Sequence, residues 1–291
     1  MQITKPAWLK VRYTVNENYQ ALQKIVHRGG LHTVCESARC PNQSECWGRR
    51  TATLMILGDV CSRACRFCAV EAGKPSPPDP EEPVKVARAV REMGLRYAVI
   101  TSVTRDDLPD GGARHWVDTI NAIRRDNAAC TIEVLVPDFQ GDPAAVKLVI
   151  EAAPDVFGHN LETVPELYAR VRPRADYQRS LAVLSLAKRA GLITKSGVMV
   201  GLGETPNQIE NLMRDLCRIG CDILTIGQYL QPTVTNLPVQ KYITPEEFAA
   251  LRQRGLELGI REVVAGPLVR SSYHAEELGK LISPTTTGAS D

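Results

Sequence analysis

The sequence predicts an α/β protein, a partial (βα)6 TIM-type barrel carrying N-terminal and C-terminal extensions. Three observations lead to this expectation. Seven short apolar, largely β-branched runs recur along the chain from residue 53 onward. Stretches with helical patterning, each about a dozen residues long, separate them, which is the signature of βαβ units and a parallel sheet. No G-x-G-x-x-G follows the first strand, which weakens the alternative of a flat, doubly wound dinucleotide-binding sheet.

Taken in order, the first 50 residues lack strong periodicity and form the N-terminal extension. Within them "ENYQALQKIVHRGG" reads as one short helix stopping at Gly29-Gly30. The barrel is expected over residues 51–262, with strands "TLMIL" (53–57), "YAVITS" (97–102), "TIEVLVP" (131–137), "VFGHNL" (156–161), "TKSGVMVG" (194–201) and "ILTIGQYL" (223–230). "EVVAGPLV" (262–269) is the trailing strand, leading into a C-terminal extension over residues 263–291. The helices are "EPVKVARAVREMG", "GARHWVDTINAIRRD", "DPAAVKLVIEAA", "SLAVLSLAKRAG", "PNQIENLMRDLCRIG" and "TPEEFAALRQRGLELG". Three of the six begin at Asp, Pro or Thr and four stop at Gly, as helix capping favours. The Pro-rich "GKPSPPDPEEP" cannot be helical throughout and reads as a loop. "SPTTTGASD" at the end reads as coil.

The charged fraction of 23% and apolar fraction of 44% are those of a globular chain, which excludes bulk disorder. A net charge of +2 is too balanced to argue for nucleic acid or membrane binding. "MQITKPAWLKVRY" has no apolar signal-peptide core, and no run approaches a membrane span, so a cytoplasmic location is expected. Thiols stay reduced there, and clustered cysteines favour metal or redox chemistry over disulfides.

Six of the nine cysteines fall in two groups of three. "CSRACRFC" places Cys61, Cys65 and Cys68 directly after the first strand, on a loop at the C-terminal strand ends where barrel chemistry gathers. A structural zinc site or a four-iron cube each asks for four ligands, so three thiolates on a cube leave one iron open. "CESARCPNQSEC" places Cys35, Cys40 and Cys46 upstream, with a spacing that matches no ferredoxin run; His32 could complete a zinc site there. Two separate clusters is the economical reading. Cys130, Cys217 and Cys221 stand among apolar neighbours and read as core thiols. His27, His115 and His159 show no partner pattern.

The C-x3-C-x2-C loop, with Phe67 before its last cysteine, resembles the signature of radical S-adenosylmethionine (SAM) enzymes. The paired triads, together with "KPAWLK", "TSVTRDDLPDGGA", "GHNLETVPELYARVRPRADYQRSL", "KSGVMVGLGE" and "GPLVRSSYHA", resemble one family within them, the lipoyl synthases, over about residues 5–277. That resemblance implies radical insertion of two sulfur atoms at C6 and C8 of a protein-bound octanoyl chain. It implies two 4Fe-4S clusters and SAM as cofactors. Cys61, Cys65 and Cys68 would hold the catalytic cluster, whose open iron binds SAM, and Cys35, Cys40 and Cys46 an auxiliary cluster that donates sulfur. A serine of "RSSY" would be the fourth auxiliary ligand, either Ser271 or Ser272, with Ser272 preferred.

Further implied roles are contacts to SAM. Asn160 and Glu162, two apart after the fourth strand, suit the ribose hydroxyls. Arg174 or Arg179 suits the methionine carboxylate, Lys195 is a further cofactor contact, and the "TSVTRDDLPDGG" loop suits the methionine amino group. The partners implied are an octanoylated lipoyl carrier domain or the glycine-cleavage carrier protein, with reduced flavodoxin or ferredoxin as electron donor; a monomer is expected. The competing readings are another auxiliary-cluster radical SAM enzyme, such as a methylthiotransferase or a biotin synthase, and, from a different class, a two-cluster electron carrier or a zinc-stabilised binding module.

Overall fold

A computed structural model describes residues 4–11, 13–273 and 275. The expected coil at 283–291 lies outside the described residues. The chain opens with α1 (Glu17–Arg28), β1 (His32–Thr33) and two short helices, α2 (Val34–Ser37) and α3 (Gln43–Gly48). β2 (Thr53–Ile56) starts the barrel, and a small parallel pair, β3 (Val60–Cys61) with β4 (Glu71–Ala72), follows it. The alternation then runs α4 (Glu82–Glu92), β5 (Tyr97–Ser102), α5 (Ala113–Asp126), β6 (Thr131–Leu135), α6 (Pro143–Glu151) and β7 (Val156–Gly158). It continues with α7 (Tyr168–Val171), α8 (Tyr177–Arg189), β8 (Ile193–Val200), α9 (Pro206–Arg218), β9 (Ile223–Gln228), α10 (Pro245–Glu257) and β10 (Glu262–Gly266).

The strands hydrogen-bond in the order β1-β2-β5-β6-β7-β8-β9-β10. Every neighbouring pair from β2 to β10 is parallel, and β1 joins the β2 edge antiparallel. Among the described residues no ladder joins β10 back to β1, so the barrel is open, as a (βα)6 repeat with one trailing strand requires. The sheet continues to Gly266, past the residue 262 boundary expected for the barrel. β1 is a two-residue strand without an alternating pattern to reveal it, and it pins the N-terminal extension to the barrel edge through His32↔Met55 and Thr33↔Leu54.

Local chemistry accounts for the helix starts. Asp142, Asp176, Thr205 and Thr244 each accept a backbone N–H from the first turn of α6, α8, α9 and α10, and Thr205 and Thr244 complete capping boxes with Gln208 and Glu247. α8 begins three residues before the expected Ser180 because Asp176 takes the cap. On α9 the buried residues Ile209, Leu212, Met213 and Leu216 fall at helical spacing and face the sheet. Burying such side chains is worth about 1.5–3 kcal/mol each. α1 packs on the N-terminal extension through Tyr19, whose ring lies 5.0 Å from that of the fully buried Trp47 in α3. No described helix is long and apolar enough to cross a membrane.

Candidate active site

A cavity of about 520 Å³ opens at the C-terminal ends of the strands, and all six clustered cysteines line it. The loop carrying Cys61, Cys65 and Cys68 is folded onto its neighbours by backbone bonds. The Cys68 N–H donates to the Cys65 carbonyl at 3.1 Å, and the Gly73 N–H to the Cys61 carbonyl at 2.9 Å. Arg66 N–H reaches the Val171 carbonyl at 3.0 Å, which sets the C-terminal end of α7 against the loop. From the β9–α10 connection, the Asn236 amide donates to the Arg66 and Cys68 carbonyls at 3.2 and 2.9 Å.

The first triad is packed into α2, α3 and the turn between them. Cys40 N–H donates to the Cys35 carbonyl at 3.0 Å, and Thr51 N–H to the Cys46 carbonyl at 2.8 Å. The far end of the chain closes over this triad. Asn42 donates to the Leu268 carbonyl at 2.7 Å, Thr53 Oγ1 to Ser272 Oγ at 2.7 Å, and the Tyr273 hydroxyl to Glu45 at 3.0 Å. Thr53 also offers its backbone N–H to the Cys35 thiol. Ser272 therefore stands on the side of the first triad. Ser271 instead accepts from the Asn160 amide at 2.6 Å, on the barrel wall. A Cβ added at Gly197 of β8 would lie 2.7 Å from Asn160 Oδ1 and 2.9 Å from Ser271 Oγ, so a bare backbone is what allows this close approach.

Burial pushes the Cys35 thiol up to about 11, with Cys40 adding to the effect, and the Cys68 thiol up to about 12. Burial raises Cys40 and Cys65 too, against the pull of Arg270 on the first and Arg172 on the second. These thiols are protonated at neutral pH unless a metal centre displaces the protons. Among the described residues no three His, Cys, Asp or Glu side chains converge as one bare ion would need. A four-iron cube instead takes each thiolate at its own iron. His32, the candidate zinc ligand, faces Asp59 at 3.9 Å. Among the described residues, three buried polar atoms of the barrel wall have no partner: Ser102 Oγ, His159 Nε2 and Arg172 Nε. Soft thiols in threes and unsatisfied polar atoms in one cavity fit two iron–sulfur clusters and a polar organic ligand.

Residues 55–216 match the family model of the radical SAM superfamily. The chain is 56% identical to the lipoyl synthase of Chlorobaculum parvum over 274 residues, covering 94% of each chain. It is 58% identical to that of Rubrobacter xylanophilus over 275 residues, covering 94% of this chain and 86% of the other. The chain belongs to the lipoyl synthase family. Its fold is also similar to the crystal structure of methylornithine synthase, with a TM-score of 0.54 at 14% identity over 87% of this chain and 82% of that one.

Within this lipoyl synthase family member the structure brings together most of the residues singled out by sequence. The six cysteines, Ser271, Ser272, Asn160 and Glu162 share the cavity. Asn160 donates to Glu162 at 3.1 Å, and burial raises the Glu162 carboxyl while Arg172 opposes that rise. Arg174 and Lys195 are placed elsewhere. Arg174 is more than half exposed and donates to the Ser62 carbonyl at 2.7 Å, outside the cavity lining. Lys195 is buried in an ion pair with Glu133 at 2.8 Å, also outside the lining. Ser102 at the end of β5 and Val103 and Thr104 of the loop after it reach the cavity, whereas Asp106 and Asp107 bind Arg63 and Arg105.

Three lining residues had escaped sequence reasoning, namely His159, Arg172 and Arg270. Arg172 lies two residues before Arg174, and no pattern in the sequence selects it within that basic segment. His159 donates its Nδ1–H to the Val136 carbonyl at 2.8 Å, and burial pushes its pKa down to about 4. The ring is therefore neutral, Nδ1 carries the proton toward the carbonyl, and Nε2 offers a lone pair. Cys130 and Cys221 are buried, as expected for core thiols, and Cys217, on α9, packs half-buried against the core.

Proposed function

We propose that this chain inserts two sulfur atoms at C6 and C8 of an octanoyl chain held on a carrier protein. The observation that supports this best is that both cysteine triads open into one cavity, with Ser272 bonded to Thr53, which follows the first triad in the chain. Cys61, Cys65 and Cys68 would hold a catalytic 4Fe-4S cluster with one iron left for SAM. Cys35, Cys40, Cys46 and Ser272 would hold an auxiliary one. Bound there, these groups supply a hydrogen-abstracting radical and the sulfur to be inserted. The protein's own residues align the parts. Asn160 and Glu162 offer an amide and a carboxylate suited to ribose hydroxyls. Arg172, buried in the wall, is the cation best placed for the methionine carboxylate. A serine oxygen is a harder ligand than thiolate, which suits an iron that must be released when sulfide is consumed. An octanoylated lipoyl domain or the glycine-cleavage carrier protein would present the substrate, and a reduced flavodoxin or ferredoxin the electrons, in the cytoplasm, to a monomer.

Anaerobic reconstitution tests the proposal. The expected result is about eight irons per chain, with 5′-deoxyadenosine released from SAM under reducing conditions and lipoyl groups formed on an octanoylated carrier. Stoichiometric zinc, or iron for one cluster alone, would overturn it. Iron without nucleoside cleavage would point to an electron carrier.

A further inference from the structure

Arg63 sits between two cysteines of the second triad and is not itself a ligand. Its side chain is only 4% exposed. Nε donates to Asp106 Oδ2 at 2.7 Å and Nη2 to Asp106 Oδ1 at 2.9 Å, a two-pronged grip on the loop after β5. Nη2 also donates to Asp138 Oδ1 at 2.6 Å, on the turn after β6. Asp138 is fully buried and Asp106 nearly so. One guanidinium thus ties together the loops that follow three adjacent strands, β2, β5 and β6.

The neighbouring Ser62 repeats the tie. Its N–H and its hydroxyl both donate to the Thr104 carbonyl, at 3.0 and 2.9 Å, and Ser62 Oγ accepts the Asp106 N–H at 2.9 Å. Arg174 binds the Ser62 carbonyl and faces Asp106 at 3.3 Å, and Arg179 faces Asp138 at 3.4 Å. These are the two arginines considered for the methionine carboxylate, and both are engaged in this brace. Surface ion pairs of such lengths would be worth little. Here the two carboxylates and Arg63 are out of water, where a two-pronged guanidinium fixes geometry and removing one partner leaves a stranded charge.

We propose that Arg63 is a positioning residue, which clamps the Cys61–Cys68 loop onto Asp106 and Asp138 so that the three thiols hold their cluster-binding shape before any cluster arrives. The role rests on the second triad being a cluster site. It makes no use of the chemistry that follows.

The test compares the wild-type chain with Arg63→Lys, Arg63→Gln and the milder Asp106→Asn. Hydrogen–deuterium exchange on the cluster-free chains should show loop 61–68 exchanging about tenfold faster or more in all three variants, with β8 and β9 unchanged. Lysine should not rescue the loop, because a point charge cannot reproduce the fork. In the loaded chains a chelator should strip the catalytic cluster about ten to a hundredfold faster, the range found when outer-shell partners of metal ligands are lost. The auxiliary cluster's release and electron paramagnetic signal should stay the same. Unchanged loop exchange, full rescue by lysine, or equal loosening of β8 and β9 would overturn the proposal. A wild-type chain that holds iron at the second triad yet never cleaves SAM would sink the sulfur-insertion reading, while the exchange comparison still judges the clamp.

Discussion

Replacing Lys195 by Met should unsettle the barrel without touching SAM recognition. Lys195 on β8 and Glu133 on β6 are each only 2% exposed, with Nζ 2.8 and 3.0 Å from the two carboxylate oxygens. Gly197 and Leu135, two residues further along the same strands, line the cavity. Side chains two apart share a face, so the ion pair lies one layer beneath the cavity floor. Methionine removes both charge-assisted bonds and leaves Glu133 buried with the Tyr97 hydroxyl, which donates to it at 2.5 Å. Stranding one partner of a buried pair costs about 3–5 kcal/mol. For a chain of this size that corresponds to a fall in melting temperature on the order of 10 °C. Adding Glu133→Gln should recover at least half of the loss, since the amide removes the stranded charge and still accepts from Tyr97. The assays are thermal melting under anaerobic conditions and SAM binding by calorimetry, run on the same loaded samples. A lysine that contacts SAM would give the reverse pattern, namely an unchanged melt with SAM affinity reduced more than tenfold, and that result would refute the reasoning.

Three other perturbations probe the cavity walls. At Gly227 of β9 an added Cβ would lie 2.0 Å from the Val269 carbonyl oxygen. Gly227→Ala should therefore cost about 1–3 kcal/mol and loosen residues 267–273, read as faster amide exchange there; an unchanged segment would show that the crossing is not tight. Ser272→Ala should keep 5′-deoxyadenosine formation and abolish lipoyl product, whereas Ser271→Ala should still make product; the opposite assignment would exchange the two serines. His159 carries a pH signature. Its pKa is pushed from 6.5 to about 4, so between those values the unfolded chain binds the extra proton and stability falls as pH falls. The full effect is about 3 kcal/mol, and denaturant midpoints of the cluster-free chain from pH 7 to 4 should lose that slope in His159→Gln. A slope that persists would locate the titration elsewhere.

Some of this was legible in the sequence for physical reasons, and some could not be. Strands and helices announced themselves because parallel strands buried on both faces must be apolar runs, and because Asp142, Thr205 and Thr244 are residues that satisfy open helix N-termini. The cysteines were legible because a loop that wraps one centre must space its thiols closely. Arg172 and Arg174 differ by two residues in an irregular stretch after α7, where no periodicity sorts inside from outside. Only the tertiary fold decides that the first lines the cavity and the second braces Ser62. Lys195 was a candidate as a lysine at the start of a strand, and its partner Glu133 lies 62 residues away in sequence.

The same separation explains the serine. Thr53 and Ser272 are 219 residues apart, and Asn42 and Leu268 are 226 apart. No spacing rule reaches across such distances. The structure supplies a reason for the contact, because the first triad sits on an extension held to the open barrel edge by the two-residue strand β1. An open barrel leaves β1 and β10 as edges, and the segment after β10 must pass over the strand ends to leave the sheet. Gly197 and Gly227 let that segment lie directly on β8 and β9, and it reaches the first triad with Ser272 at Thr53 and Tyr273 at Glu45. The gap in the barrel is thus what allows one end of the chain to close over the triad carried by the other. An inserted residue between Gly266 and Ser271 should shift Ser271 into the place of Ser272, and the sulfur-insertion requirement should move with it to the serine that then faces Thr53.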